Sequence, residues 1–80
     1  MRVRLLLFAS YAEALGSTEL SIDVPAGATA ADVLADVRSR PGADKLPPKP
    51  LIAVNQRYAK AEAPLRENDE VALIPPVAGG

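Results

Sequence analysis

The sequence predicts a small α+β domain in which one main helix packs across a mixed sheet of four or five strands. Strand-like segments follow one another without the regular strand–helix alternation of a doubly wound fold, and a single segment carries a helical stripe long enough to cover a sheet. The length agrees. Eighty residues make one domain, and such a domain buries only a little over about 60% of the surface its unfolded chain exposes, so the core is thin. A hydrophobic share of 49% beside 24% charged residues is the balance of a folded globular chain.

The first strand runs from Arg2 to Phe8. Val3, Leu5 and Leu7 share one face. The other begins with Arg2 and Arg4 and ends with Leu6 and Phe8, so the strand is apolar on both sides towards its end. Ser10 to Leu15 reads as a short helix that Gly16 stops by turning left-handed. Glu19 to Val24 alternates polar and apolar with period two, a half-buried strand ended by Pro25-Ala26-Gly27. The main helix starts at Thr29, whose side chain suits the backbone amide of Asp32, and Ala30, Val33, Leu34 and Val37 turn towards the sheet. Pro41-Gly42 ends it.

The stretch up to Pro50, with Pro47 and Pro48 inside it, lacks regular amide donors and reads as a loop. Arg38, Arg40, Lys45 and Lys49 there offer a basic contact patch, the plainer alternative being a solvated loop. Leu51 to Val54 is a short strand, Asn55-Gln56 a turn, and Tyr58 to Lys60 a brief return strand. Leu65 to Glu70 is a polar turn in which Asn68 suits positive φ and the run Glu67 to Glu70 faces water. Val71 to Ile74 is the last strand, halted by Pro75-Pro76. The domain is therefore residues 1–76, followed by a flexible tail, 77–80.

Composition removes most chemistry. With no cysteine and no histidine there is no disulfide, no thiol nucleophile, no persulfide on the protein itself and none of the common zinc ligands. Nine Lys plus Arg against ten Asp plus Glu give a net charge of −1, too weak a field to hold nucleic acid or an anionic membrane. The opening MRVRLLLFASYAEA imitates a signal peptide, but the apolar run Leu5 to Ala9 is shorter than the roughly 7–15 residues such a segment uses, so the expected location is the cytoplasm. A phosphate-binding glycine loop and a nucleophile dyad are both missing.

What remains is the end of the chain, Pro75-Pro76-Val77-Ala78-Gly79-Gly80. A terminal carboxylate, with a pKa near 3.3–3.7, is ionised at neutral pH and a poor acyl electrophile. Adenylation by ATP converts it into a mixed anhydride, and sulfide transferred to that anhydride leaves a thiocarboxylate, a nucleophilic sulfur on a tether. Glycine suits the tether because, without a Cβ, it enters a narrow channel and takes dihedrals closed to other residues. Pro75 and Pro76 end sheet pairing and stiffen the exit, and the four residues after them span at most about 13–14 Å. Gly80 is thus the candidate reactive residue, with Gly79, Ala78 and Val77 giving access.

A docking face is legible as well. If Val71 and Leu73 face the helix, Ala72 and Ile74 face away, as do Leu6 and Phe8 of the first strand. Leu6, Phe8, Ile74 and Tyr58 then form an exposed apolar patch beside Pro75, Pro76 and the tail, and such patches mark protein interfaces. The alternative is that the short helix Ser10 to Leu15 folds over them.

The chain resembles the small, sulfur-carrying subunits of molybdopterin synthase. The likeness is densest at Val54-Asn55, Leu65, Asp69-Glu70-Val71-Ala72 and Pro75-Pro76-Val77-Ala78-Gly79-Gly80, and looser at Phe8-Ala9 and the Thr29 helix. The two prolines before the tail are the specific element, because the related thiamine sulfur carriers share the diglycine but usually lack them. Asn68 stands where the family commonly has glycine, and asparagine tolerates the same positive φ. The resemblance implies a β-grasp, ubiquitin-like fold and a Gly80 adenylated by a ubiquitin-activating-type enzyme and then thiocarboxylated. It implies that the chain binds no cofactor, ATP being consumed by the activating partner. It also implies docking into the large synthase subunit, in a heterotetramer, where sulfur passes to precursor Z (cyclic pyranopterin monophosphate) in molybdenum cofactor biosynthesis. The rival readings are a sulfur carrier for thiamine, cysteine or tRNA thiolation or a ubiquitin-like protein modifier using the same activated end, and a β-grasp interaction module with an incidental tail. Phe8, Tyr58 and Ile74 fall at the family's apolar contacts.

Overall fold

The computed structural model describes residues 1–46 and 49–76. Its elements follow in the order β1 (Arg2–Leu7), α1 (Ser10–Leu15), β2 (Glu19–Asp23), α2 (Ala30–Arg38), a 3₁₀ turn (Ala43–Lys45), β3 (Leu51–Val54), β4 (Arg57–Ala59) and β5 (Glu70–Ile74). The strands form one sheet in the order β2-β1-β5-β3-β4, in which β1 and β5 are parallel and the other neighbours antiparallel. This is the mixed sheet with one main helix that the sequence predicts.

Alternation along β1 sets the two faces. Val3, Leu5 and Leu7 are buried, and with Ile22, Ile52, Val71 and Leu73 they meet Ala30, Val33 and Val37 of α2 in a single core cluster. Tyr11 completes that cluster from α1, with no exposed surface. No charged side chain is buried among the described residues.

Helix α2 is fixed at its start by a capping box, in which the Thr29 amide donates to the Asp32 carboxylate at 2.8 Å. The amides of Ala30 and Ala31 donate to the carbonyls of Ala63 and Ala61 at 3.0 and 2.8 Å, so donors left over in the first turn find partners in the segment after β4.

Several element limits differ from the sequence reading. Strand β1 ends at Leu7, although the Phe8 amide still donates to the Leu73 carbonyl at 3.3 Å. Strand β2 ends at Asp23. The return strand is Arg57–Ala59 rather than Tyr58 to Lys60, because Asn55 and Gln56, at φ 51° and 71°, form a two-residue turn that sets the register from Arg57 onwards. The segment read as a loop after α2 contains the 3₁₀ turn, which opens at Gly42 with φ 89°. Glycine is required there, since a Cβ would collide with the carbonyl oxygen of Ala14. Asn68 does take positive φ, 68°.

Candidate functional site

On the face of the sheet away from α2, register assembles a transverse row. Leu6 lies opposite Ala72, Ala72 opposite Ala53, and Ala53 opposite Tyr58. The next row towards the end of β5 pairs Ile74 with Leu51. Two methyl side chains therefore sit at the centre of the face with larger groups around them, and the result is a depression of about 250 Å³. Leu6, Phe8, Tyr58 and Ile74 line its apolar sides, Ala53 and Ala72 its floor, and Gln56 and Glu70 its polar end.

Exposure separates the roles of these residues. Ala53 and Ala72 are each 7% exposed, whereas Phe8 is 46% and Tyr58 77% exposed. Helix α1 does not fold over the patch; its buried residue, Tyr11, goes into the core on the other side of the sheet. The turn at Ala9 separates the two aromatics. Tyr11 donates its amide to the Phe8 carbonyl at 3.0 Å, and Ala9 between them holds φ 48° and ψ −121°.

The face becomes charged away from the depression. Arg4 lies 3.7 Å from Glu19 and 3.6 Å from Glu70, and Arg2 lies 3.2 Å from Asp23. The hydrogen bond that Arg2 donates to Asp23, followed by the charge of that carboxylate, raises the pKa of the Arg2 guanidinium. Apart from half-buried Glu70 these side chains are solvent-exposed, so the pairs add little stability, but they confine the apolar surface to one end of the sheet.

Asn55 fastens the β3–β4 turn to β5. Its side-chain amide donates to Asp69 at 2.9 Å, its side-chain oxygen accepts the Glu70 amide at 3.0 Å, and its own amide donates to the Glu70 carbonyl at 2.8 Å. Gln56, in the same turn, is thereby held at the edge of the depression.

All four side chains predicted to dock a partner, Leu6, Phe8, Tyr58 and Ile74, thus line one concavity. Pro75, half-buried, and Pro76, exposed, lead out from its Ile74 end. Val77, Ala78, Gly79 and Gly80 lie outside the described residues. The predicted basic patch divides: Arg40 is bound to Asp36 at 2.9 Å and Lys45 lies near Glu13, so only Arg38 and Lys49 come together. Sequence reasoning missed Ala53, Gln56 and Glu70. Leu51–Val54 is apolar throughout and gives no local sign of the face Ala53 takes, and Gln56 reaches the site only through the turn geometry.

Comparison with known proteins agrees with this arrangement. A molybdopterin synthase sulfur carrier subunit from Chlamydomonas reinhardtii is 34% identical, with all of both chains covered. A putative molybdopterin converting factor, subunit 1, from Pyrococcus furiosus superposes with a TM-score of 0.84 at 27% identity, over 96% of this chain and 99% of that one. The small archaeal modifier protein 1 of Haloferax volcanii superposes with a TM-score of 0.81 at 26% identity, over 95% and 98%. The architecture is the ubiquitin-like β-grasp. Since the ThiS family model also matches residues 5–80, the chain belongs to the ThiS family, alongside the molybdopterin synthase sulfur carrier subunits.

Proposed function

We propose that the chain is the sulfur-carrier subunit of a molybdopterin synthase, working in the cytoplasm through its own terminal carboxylate. A ubiquitin-activating-type partner binds ATP; the Gly80 carboxylate attacks the α-phosphorus, and pyrophosphate leaves. A sulfur nucleophile then displaces AMP from the acyl adenylate, and Gly80 carries a thiocarboxylate. Docked in the large subunit, within a heterotetramer, the terminal sulfur attacks a carbon of precursor Z and displaces an oxygen substituent. Water cleaves the resulting thioester to leave the sulfur on the product and Gly80 as a carboxylate, and a second charged carrier repeats the step for the second sulfur. The chain supplies no catalytic side chain, binds no cofactor, and acts as the donor.

The observation that carries this reading is the open apolar depression at the end of the sheet from which Pro75 and Pro76 depart. A partner seated on Leu6, Phe8, Tyr58 and Ile74 meets the start of the tail. The tail's reach of about 13–14 Å then delivers Gly80 into that partner's own site.

Reconstitution tests the reading. Thiocarboxylated chain mixed with the large subunit and precursor Z is expected to yield the dithiolene product and return an unmodified carrier. A variant lacking Gly80 folds and yields none. Formation of product by that variant contradicts the assignment.

The likeness to small archaeal modifier protein 1 favours a second use of the same activated end, isopeptide linkage of Gly80 to lysines of other proteins. Adducts on lysine recovered from cells, lost when Gly80 is removed, would establish it.

A further inference from the structure

One group in the depression is out of keeping with the rest. Among the described residues, Glu70 is the only charged residue that lines it. Its side chain is 21% exposed, against 56% for Glu19 and 75% for Asp23 in the neighbouring ion pairs. Its contact with Arg4, at 3.6 Å, is longer than a hydrogen bond, and Arg4 also lies 3.7 Å from Glu19.

An ionised carboxylate can accept several hydrogen bonds at its two oxygens. Among the described residues the Glu70 side chain accepts none, because its bonds with Asn55 are made by its backbone. Gln56, exposed at the same polar end, makes no side-chain hydrogen bond either. No fully buried side-chain oxygen or nitrogen among the described residues lacks a partner, so the open positions on the Glu70 carboxylate are met by solvent in the free chain.

Docking changes that balance. A partner seated on Leu6, Phe8, Tyr58 and Ile74 covers the depression and takes water from the carboxylate. A charge removed from water without a compensating bond is strongly disfavoured. An ion pair repays its desolvation only when its geometry is good and the remaining acceptor positions are filled. Arg4, too distant for a hydrogen bond and shared with Glu19, meets neither condition. The missing donor must come from the covering surface.

We propose that the large subunit brings a cationic side chain to Glu70, which makes Glu70 a specificity-determining residue of docking; the inference rests on the carrier reading above, which seats that subunit on this face. Charge complementarity disfavours a second copy of the chain. A symmetric contact between two copies would set depression against depression, and the depression holds a carboxylate and no cation. Two Glu70 side chains would then lose water against each other.

The experiment is calorimetric titration of the purified large subunit with the full-length chain and its variants. Glu70→Gln and Arg4→Gln break the same ion pair in the free chain, so a role confined to the fold moves both alike. Glu70→Gln is expected to raise the Kd about ten-fold or more, because the partner's cation is left without its carboxylate. Glu70→Lys is expected to raise it further. Arg4→Gln is expected to keep the Kd within about two-fold of the unaltered chain or to lower it, since an exposed pair adds little and Glu70 then has no competing cation. A Kd unchanged by Glu70→Gln overturns the proposal, and so do equal losses for Glu70→Gln and Arg4→Gln. Sedimentation of the chain alone is expected to show a monomer. A dimer that Glu70→Gln abolishes would put a second copy on the face and overturn the choice of occupant. The carrier reading fails separately, if the unaltered chain gains no sulfur from ATP, a sulfide donor and the activating enzyme.

Discussion

Ala53 and Ala72 face each other across the β3–β5 ladder, each 7% exposed, and their methyl groups are the floor of the depression that Leu6, Phe8, Tyr58 and Ile74 enclose. The concavity exists because two small residues occupy the centre of a face whose borders are large. Ala53→Glu or Ala72→Glu should therefore fill it with a charge and cost about 2 kcal/mol or more of partner binding, the scale of an interface hot spot. Calorimetric titration with the large subunit checks this. Affinity within two-fold of the unaltered chain would show that the depression is not the contact.

The rim residues should separate binding from stability. Phe8→Ala and Tyr58→Ala remove side chains that are 46% and 77% exposed, so unfolding free energies should change by about 0.5 kcal/mol or less. Docking should weaken by about 1–2 kcal/mol. Urea denaturation and titration of the same variants measure the two effects. A large stability loss for Tyr58→Ala would mean the ring serves the fold instead.

The core side of the same strand should behave in the opposite way. Leu5 has no exposed surface, and Leu5→Ala should cost about 2–5 kcal/mol out of a total of about 5–15. A partner added in excess should recover part of the lost thermal stability, since binding to the folded state draws the equilibrium towards it.

Asn55 ties the turn to β5 with both ends of its side chain. Asn55→Ala removes the acceptor of the exposed Glu70 amide, with an expected loss of about 0.5–1.5 kcal/mol. Hydrogen exchange at Glu70 should speed up selectively, and exchange in β1 and β2 should follow only the global change.

Burial raises the pKa of the Tyr11 phenol, against a smaller opposing influence from Arg38. A phenol that ionises less readily when folded leaves stability unchanged below its ordinary value of about 10, where both states are neutral. Above that value the unfolded chain loses its proton first, and stability falls as pH rises towards the folded-state pKa. Tyr11→Phe should flatten this alkaline decline. Chemical denaturation of both chains near neutral pH and above pH 10 measures the difference.

Much of this fold is legible in the sequence, because alternation in β1, β2 and β5 and the stripe Ala30, Val33, Leu34, Val37 are dictated by which side chains must leave water. The outer patch is legible for the same reason, since Leu6, Phe8 and Ile74 fall on the wrong face for the core. Ala53 escapes notice because an alanine in a short apolar strand gives no sign of its face. Arg38 and Lys49 could not be told from Arg40 and Lys45 by composition; only the fold reveals that Arg40 already has Asp36. The 3₁₀ turn depends on the approach of Gly42 to Ala14, a contact between distant segments that no local pattern encodes.

The most direct test is the intact mass of the chain after incubation with ATP, a sulfide donor and the cognate activating enzyme. Exchange of one terminal oxygen for sulfur, located to Gly80 by fragmentation and absent when an extra residue follows it, is the predicted result. An unaltered mass, with the same enzyme demonstrably charging another carrier, would contradict the claim that the free end of this chain is its reactive group.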